Sequence, residues 1–171
     1  MAGETETTRR TPASPATHDP LAAWWAVAGV VLLLTNAAVR LGARGVETIR
    51  AGLGPWQWIA LAVLTTGFVY GEGVRALQRR FAPHVVARAR RLDTRSPLLM
   101  RVLAPLYAFG LVGEVPRKVL LAWAGVAAIV AAVLIVRAFP EPWRGITDFA
   151  VAAAIGWGAV ALLVRAFRTL R

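Results

Sequence analysis

The chain has 171 residues, 57% of them hydrophobic, yet it carries a formal charge of +11 and contains no cysteine. Disulfides, thiol catalysis and cysteine metal sites are thereby excluded. A basic nucleic-acid binder is set aside as well, because the apolar residues are gathered into long uncharged runs between arginine-rich segments, which is the pattern of a polytopic membrane protein.

The first 19 residues, "MAGETETTRRTPASPATHD", are polar and rich in Thr, Pro and Ala, and read as a flexible cytoplasmic tail. A single transmembrane helical domain over 20–171 follows. Asp19 and Pro20 suit the cap and first turn of a helix, with Trp24 and Trp25 at the headgroup level. Leu21 to Val39 holds no charge and is long enough to span, so a signal peptide is the weaker alternative. The next stretch, "RLGARGVETIRAGLGP", reads as a short surface connection. A second span runs from Pro55 to Gly71, opened by Trp56 and Trp58.

The segment 75–97 is too charged to cross and forms the basic cytoplasmic part of the domain. Leu77, Phe81, Val85 and Val86 give it an apolar side, so an interfacial amphipathic helix broken near Pro83 is expected. Within it, Arg79, Arg80, Arg88, Arg90 and Arg91 are candidates for holding anionic membrane lipid or a partner's acidic segment. The segment 98–116 is apolar but is interrupted by Arg101 and Pro105, and reads as re-entrant or interfacial. Val119 to Val136 and Phe149 to Val164 complete four spans, joined by the turn "RAFPEPWRG".

The arginines orient this arrangement. With four crossings, the 20 basic residues divide into 15 on the side of both termini and 5 on the other; a fifth crossing at 98–113 reduces the split to 12 and 8. The positive-inside rule thus favours an all-alpha bundle of four spanning helices plus the re-entrant or interfacial segments, with both termini cytoplasmic, and the inner membrane of a bacterium as the expected location.

Small residues recur at four-residue spacing in Gly67 and Gly71, in Ala124, Ala128 and Ala132, and in Ala150, Ala154 and Gly158. Such faces let helices approach closely, within the bundle or between subunits. Each glutamate after the tail has an arginine three residues on, and "FVYGEGVR" and "FGLVGEVPR" resemble one another. Glu72 and Glu114, with Arg75 and Arg117, are the candidate residues of an ion pathway. Asp148 is read as a first-turn helix cap. Neither metal-ligand spacing nor a phosphate loop or nucleophile motif is present, and no cofactor is expected.

The leading expectation is a noncatalytic integral membrane protein acting as a homo-oligomer or as a structural or accessory subunit of a membrane complex. A small oligomeric channel or transporter is the alternative, and a phospholipid-headgroup enzyme the second.

Overall fold

The computed structural model describes residues 19–93, 97–113 and 115–170. All of the regular elements are helical: α1 (Pro20–Arg50), α2 (Pro55–Phe68), a π-helical segment (Val69–Phe81), α3 (Ala82–Ala89), two short helices α4 (Leu98–Val102) and α5 (Ala104–Phe109), then α6 (Pro116–Arg137) and α7 (Trp143–Thr169). Three of these, α1, α6 and α7, are long and apolar enough to cross a membrane. The flexible tail expected over the first 19 residues lies outside the described residues except for Asp19.

Helix α1 is longer than the uncharged run on which its expectation rested. It continues through "RLGARGVETIR" for 31 residues in all, about 46 Å at 1.5 Å per residue. The glycines there do not open a loop; they admit a neighbour. A Cβ on Gly45 would stand 2.5 Å from Phe149 Cβ and 2.9 Å from its Cα, and one on Gly145 would overlap Thr48. Here α1 and α7 touch backbone to backbone, which repays the loss of helix propensity at glycine.

The two helices are antiparallel. Trp24 near the start of α1 packs on Phe167 near the end of α7, with ring centroids 5.0 Å apart, while Gly45 and Thr48 meet Phe149 and Gly145 at the other extreme. The molecule therefore has a terminal end, where α1 begins and α7 finishes, and a hairpin end, where residues 51–54 and 138–142 turn the chain. The uninterrupted helical run 55–89 returns from the hairpin end and packs along α7. Helix α7 thus sits between α1 on one side and the 55–89 run on the other.

Pro83 does not break this run as expected. It stands in the first turn of α3, where a missing amide is best tolerated. Preceding it, the i→i+5 bonding of the π segment places Gly73, Leu77 and Ala82, four and five residues apart, toward the core.

Small side chains are inside and large ones outside. The main cluster is built from Ala22, Ala23, Ala26, Ala82, Ala89, Ala104, Ala108 and Ala166 with Val27, Val30, Val85, Val86, Leu92 and Leu162. Leu32, Leu33, Ile59, Val63, Leu120, Leu121, Ile129, Leu134, Ile135 and Val160 are all exposed. In water such a surface would expose far more contiguous apolar area than a monomer normally carries. In hydrocarbon it costs nothing, and close packing of small residues supplies the cohesion. The distribution is that of an integral membrane helical bundle.

Segment 98–113 folds as α4 and α5, helices of five and six residues, which together fall well short of the roughly 30 Å hydrocarbon core. Helix α5 leans on α1 and α3 at the terminal end: a Cβ on Gly29 would lie 2.7 Å from Pro105 Cβ, and Ala104 and Ala108 are buried.

One polar knot fixes the start of α1. Asp19 accepts from the amides of Leu21 and Ala22, each at 3.1 Å, and its second oxygen lies 2.6 Å from Arg101 Nη2. Its own amide donates to the Leu92 carbonyl, and Trp25 Nε1 donates to the Val102 carbonyl at 3.2 Å. A single residue thereby caps α1 and ties it to α3 and α4. The Ala22 amide, ahead of the Arg101 guanidinium, holds the Asp19 carboxyl below its ordinary 3.8, against the opposing effect of burial. Because the folded value lies below the unfolded one, this stabilisation is complete above 3.8 and is lost as pH falls through the folded value. Asp19→Asn is accordingly expected to lower the thermal midpoint in micelles at neutral pH. Parent and variant midpoints should converge as the pH falls through the folded value; a gap that persists once the carboxyl is protonated would show that the carboxylate charge is not what Arg101 reads.

Candidate functional site

The basic residues singled out in 75–97 do not act as one patch. Arg80 and Arg88 line a cleft of about 360 Å³ at the terminal end, whereas Arg79, Arg90 and Arg91 are exposed and do not line it. The cleft lies where the end of the π segment, α3, the end of α5 and the start of α6 converge. Lys118 adds to its cationic rim and His84 stands among these groups, while Ala76, Phe81, Val85, Ala108, Phe109 and Ala122 form its apolar wall.

Local sequence explains this shape. Arg80, His84 and Arg88 are four residues apart, so the helical run presents them in a row, and Phe81 and Val85 follow one position behind on the inward side. Phe81 meets Phe109 edge-on, with centroids 5.1 Å apart at 66°. His84 Nδ1 donates to the Arg80 carbonyl, which leaves Nε2 as the ring's second polar atom. Gly110 ends α5 at φ 91°, a left-handed conformation suited to glycine, and a Cβ there would fall on the Arg88 guanidinium. Arg88 is thus laid across the end of α5. Both Arg88 and Lys118 also interact with the protein itself. Neither His84 nor Lys118 stood among the candidates drawn from the sequence; the four-residue spacing of Arg80, His84 and Arg88 was the available signal.

The ion-pathway candidates are dispersed differently. Glu72 and Arg75 are exposed on the π segment and Arg117 is exposed at the start of α6, while Glu114 lies outside the described residues. Gly73, the neighbour of Glu72, is the buried member of "GEG": its Cβ position is 3.2 Å from the Ala154 carbonyl and 3.4 Å from Trp157. The glutamates do not pair with arginines three residues on among the described residues. Glu141 accepts instead from Thr48 at 3.4 Å. Asp148 is too deep in α7 to cap it and pairs with Arg44 of α1 at 3.3 Å, its side chain 7% exposed. A carboxylate at that depth requires a cation, and α1 brings one across.

The small-residue faces also separate. Ala150, Ala154 and Gly158 are buried within the bundle. Gly158 faces Leu77, whose Cβ would be 2.8 Å from an added Cβ, and Trp157 Nε1 donates to Gln78 Oε1 at 2.8 Å beside it. Gly67 and Gly71 face open space. Ala124, Ala128 and Ala132 are exposed, as is most of α6, in which no residue is buried. Among the described residues no group of three or more His, Asp or Glu side chains has the arrangement of a metal site.

The contrast between Gly158 and Gly156, which has open space around it, gives a matched test. Gly158→Val is expected to destabilise the bundle by about 1–3 kcal/mol through overpacking against Leu77. Gly156→Val should stay within about 1 kcal/mol of the parent in the same denaturant titration of micelles. No protein-family model, curated protein or solved structure matches the chain.

Proposed function

We propose that the chain is a noncatalytic membrane subunit that assembles with a second copy of itself through α6. The observation that carries this reading is the isolation of α6. It is the most hydrophobic of the long helices, none of its 22 residues is buried, and it meets α7 at only a few positions. The bundle's own core is complete without it.

Its exposed surface has the chemistry for a helix partner. Between Lys118 and Arg137 there is no charge, and Ala124, Ala128 and Ala132 form a line at four-residue spacing, with Gly125 open beside it. In lipid, where apolar side chains gain little by leaving the solvent, a line of small residues is what lets two backbones come close. Identical parallel helices related by a two-fold axis satisfy that requirement with one surface.

In this reading α1, the 55–89 run, α6 and α7 make four crossings, with the terminal end cytoplasmic and α4 and α5 entering from that side without crossing. The preponderance of arginines on the terminal side supports the orientation.

The absence of native cysteine makes the test direct. Ala128→Cys is expected to form an oxidative cross-link between two copies in native membranes, while Val130→Cys, on the opposite side of α6 and 53% exposed, should cross-link poorly. A protein that is monomeric in native lipid particles, with equal and weak cross-linking at both positions, would refute the proposal. Cross-linking of Ala128→Cys to a different polypeptide would replace the second copy with a distinct subunit.

A further inference from the structure

The geometry points to the cleft at the terminal end as a binding site for one anionic phospholipid, its phosphate held by Arg80, Arg88 and Lys118 and an acyl chain laid on Phe81, Phe109 and Ala122. The inference rests on the cleft and not on the α6 assembly, so either can fail alone.

Three features identify the occupant by its chemistry. The first is charge. Three cations, Arg80, Arg88 and Lys118, converge on one opening beside the His84 ring, and among the described residues that line it there is no carboxylate. Such a concentration favours an anion, and phosphate oxygens suit guanidinium and ammonium donors together. Arg88 and Lys118 also have interactions within the protein; a guanidinium carries five donors and an ammonium three, and a lipid phosphate would share them with those partners.

The second feature is the wall. Beneath the cationic rim the surface is apolar, formed by the Phe81 and Phe109 pair and by alanines and a valine. A small inorganic anion has no use for it. An amphiphile with a phosphate head and a hydrocarbon chain matches both halves, and basic pockets between membrane helices on the cytoplasmic side are suited to such head groups.

The third is position. Lys118 and Ala122 belong to the first part of α6, whereas the remaining walls belong to the π segment, α3 and α5. Helix α6 has little protein contact of its own along its length. A lipid seated here bridges the bundle and α6 at the end opposite their covalent connection through α7, where the protein supplies few contacts.

Two of the cationic groups have no part in the core: Arg80 and Lys118 are exposed, and Gly110 carries no side chain where Arg88 crosses it.

The experiment is native mass spectrometry of the full chain, released from micelles titrated with phosphatidylglycerol or with zwitterionic phosphatidylcholine. Arg88→Gln combined with Lys118→Gln is expected to weaken phosphatidylglycerol binding by at least about tenfold. The double variant Arg165→Gln with Arg168→Gln removes the same charge from exposed positions at the same end and should remain within about threefold of the parent. Ala122→Phe fills the wall without altering charge and is expected to reduce binding similarly, which keeps the test decisive should the arginine variant fold poorly. Millimolar inorganic phosphate should not displace the lipid. Equal losses in the two charge variants would overturn the site in favour of bulk surface attraction. Displacement by inorganic phosphate, or undiminished binding by Ala122→Phe, would overturn the lipid assignment.

Discussion

The constraint on which the rest of the structure depends is the close approach of α1 and α7. Hydrocarbon gives two apolar helices no solvent-driven reason to associate, so their cohesion must come from contact area and a few buried polar interactions. Gly45 and Gly145 provide the first by letting Phe149 and Thr48 reach the opposite backbone. Arg44 and Asp148 provide the second, in the same short stretch. Once the two helices are fixed there and at Trp24 with Phe167, the other side of α7 is a groove of alanines and Gly158, and the 55–89 run can enter it only with its own small or slender residues.

That requirement explains the π segment better than a functional role for Glu72 does. A regular α-helix would carry positions 73, 77 and 82 gradually around its axis. The wider winding keeps Gly73, Leu77 and Ala82 directed at the core, and Glu72 turns outward as the neighbour of a packing glycine. The charged ends of the molecule are organised on the same principle. Asp19 and Arg101 are joined across 82 positions of sequence, and Asp19 caps the start of α1 as well.

Much of this architecture was legible in the sequence because hydrophobic runs and arginine blocks report directly on the solvent a segment meets. The all-helical class, the cap at Asp19, the start of the second helix at Pro55 and the turn before Trp143 all follow from such local signals. What escaped reading depended on who faces whom. "RLGARGVETIR" has the composition of a loop, and only the arrival of Phe149 and Asp148 converts its glycines and Arg44 into the tightest contact of the helix pair. Likewise, the line Arg80, His84 and Arg88 is periodic in sequence, but the cleft exists only because Gly110 and Lys118 come from elements some 20 to 40 positions away. Isolated charges in apolar runs, such as Arg101, were the informative clue: each demanded a partner that its own segment lacked.

The central position of α7 has a consequence for biosynthesis. Ribosomes deliver α1, the 55–89 run and α6 before the helix against which the first two pack. Until α7 arrives, α1 and the 55–89 run meet only where α3 packs on α1 at the terminal end, and Arg44 lacks its carboxylate. The tight turn between α6 and α7 then delivers the missing centre as one half of a helical hairpin, with Asp148 entering the membrane already destined for a cation that crossed long before it. Closure of the bundle around its centre is thereby made a late event, whose timing is set by translation of residues 143–169.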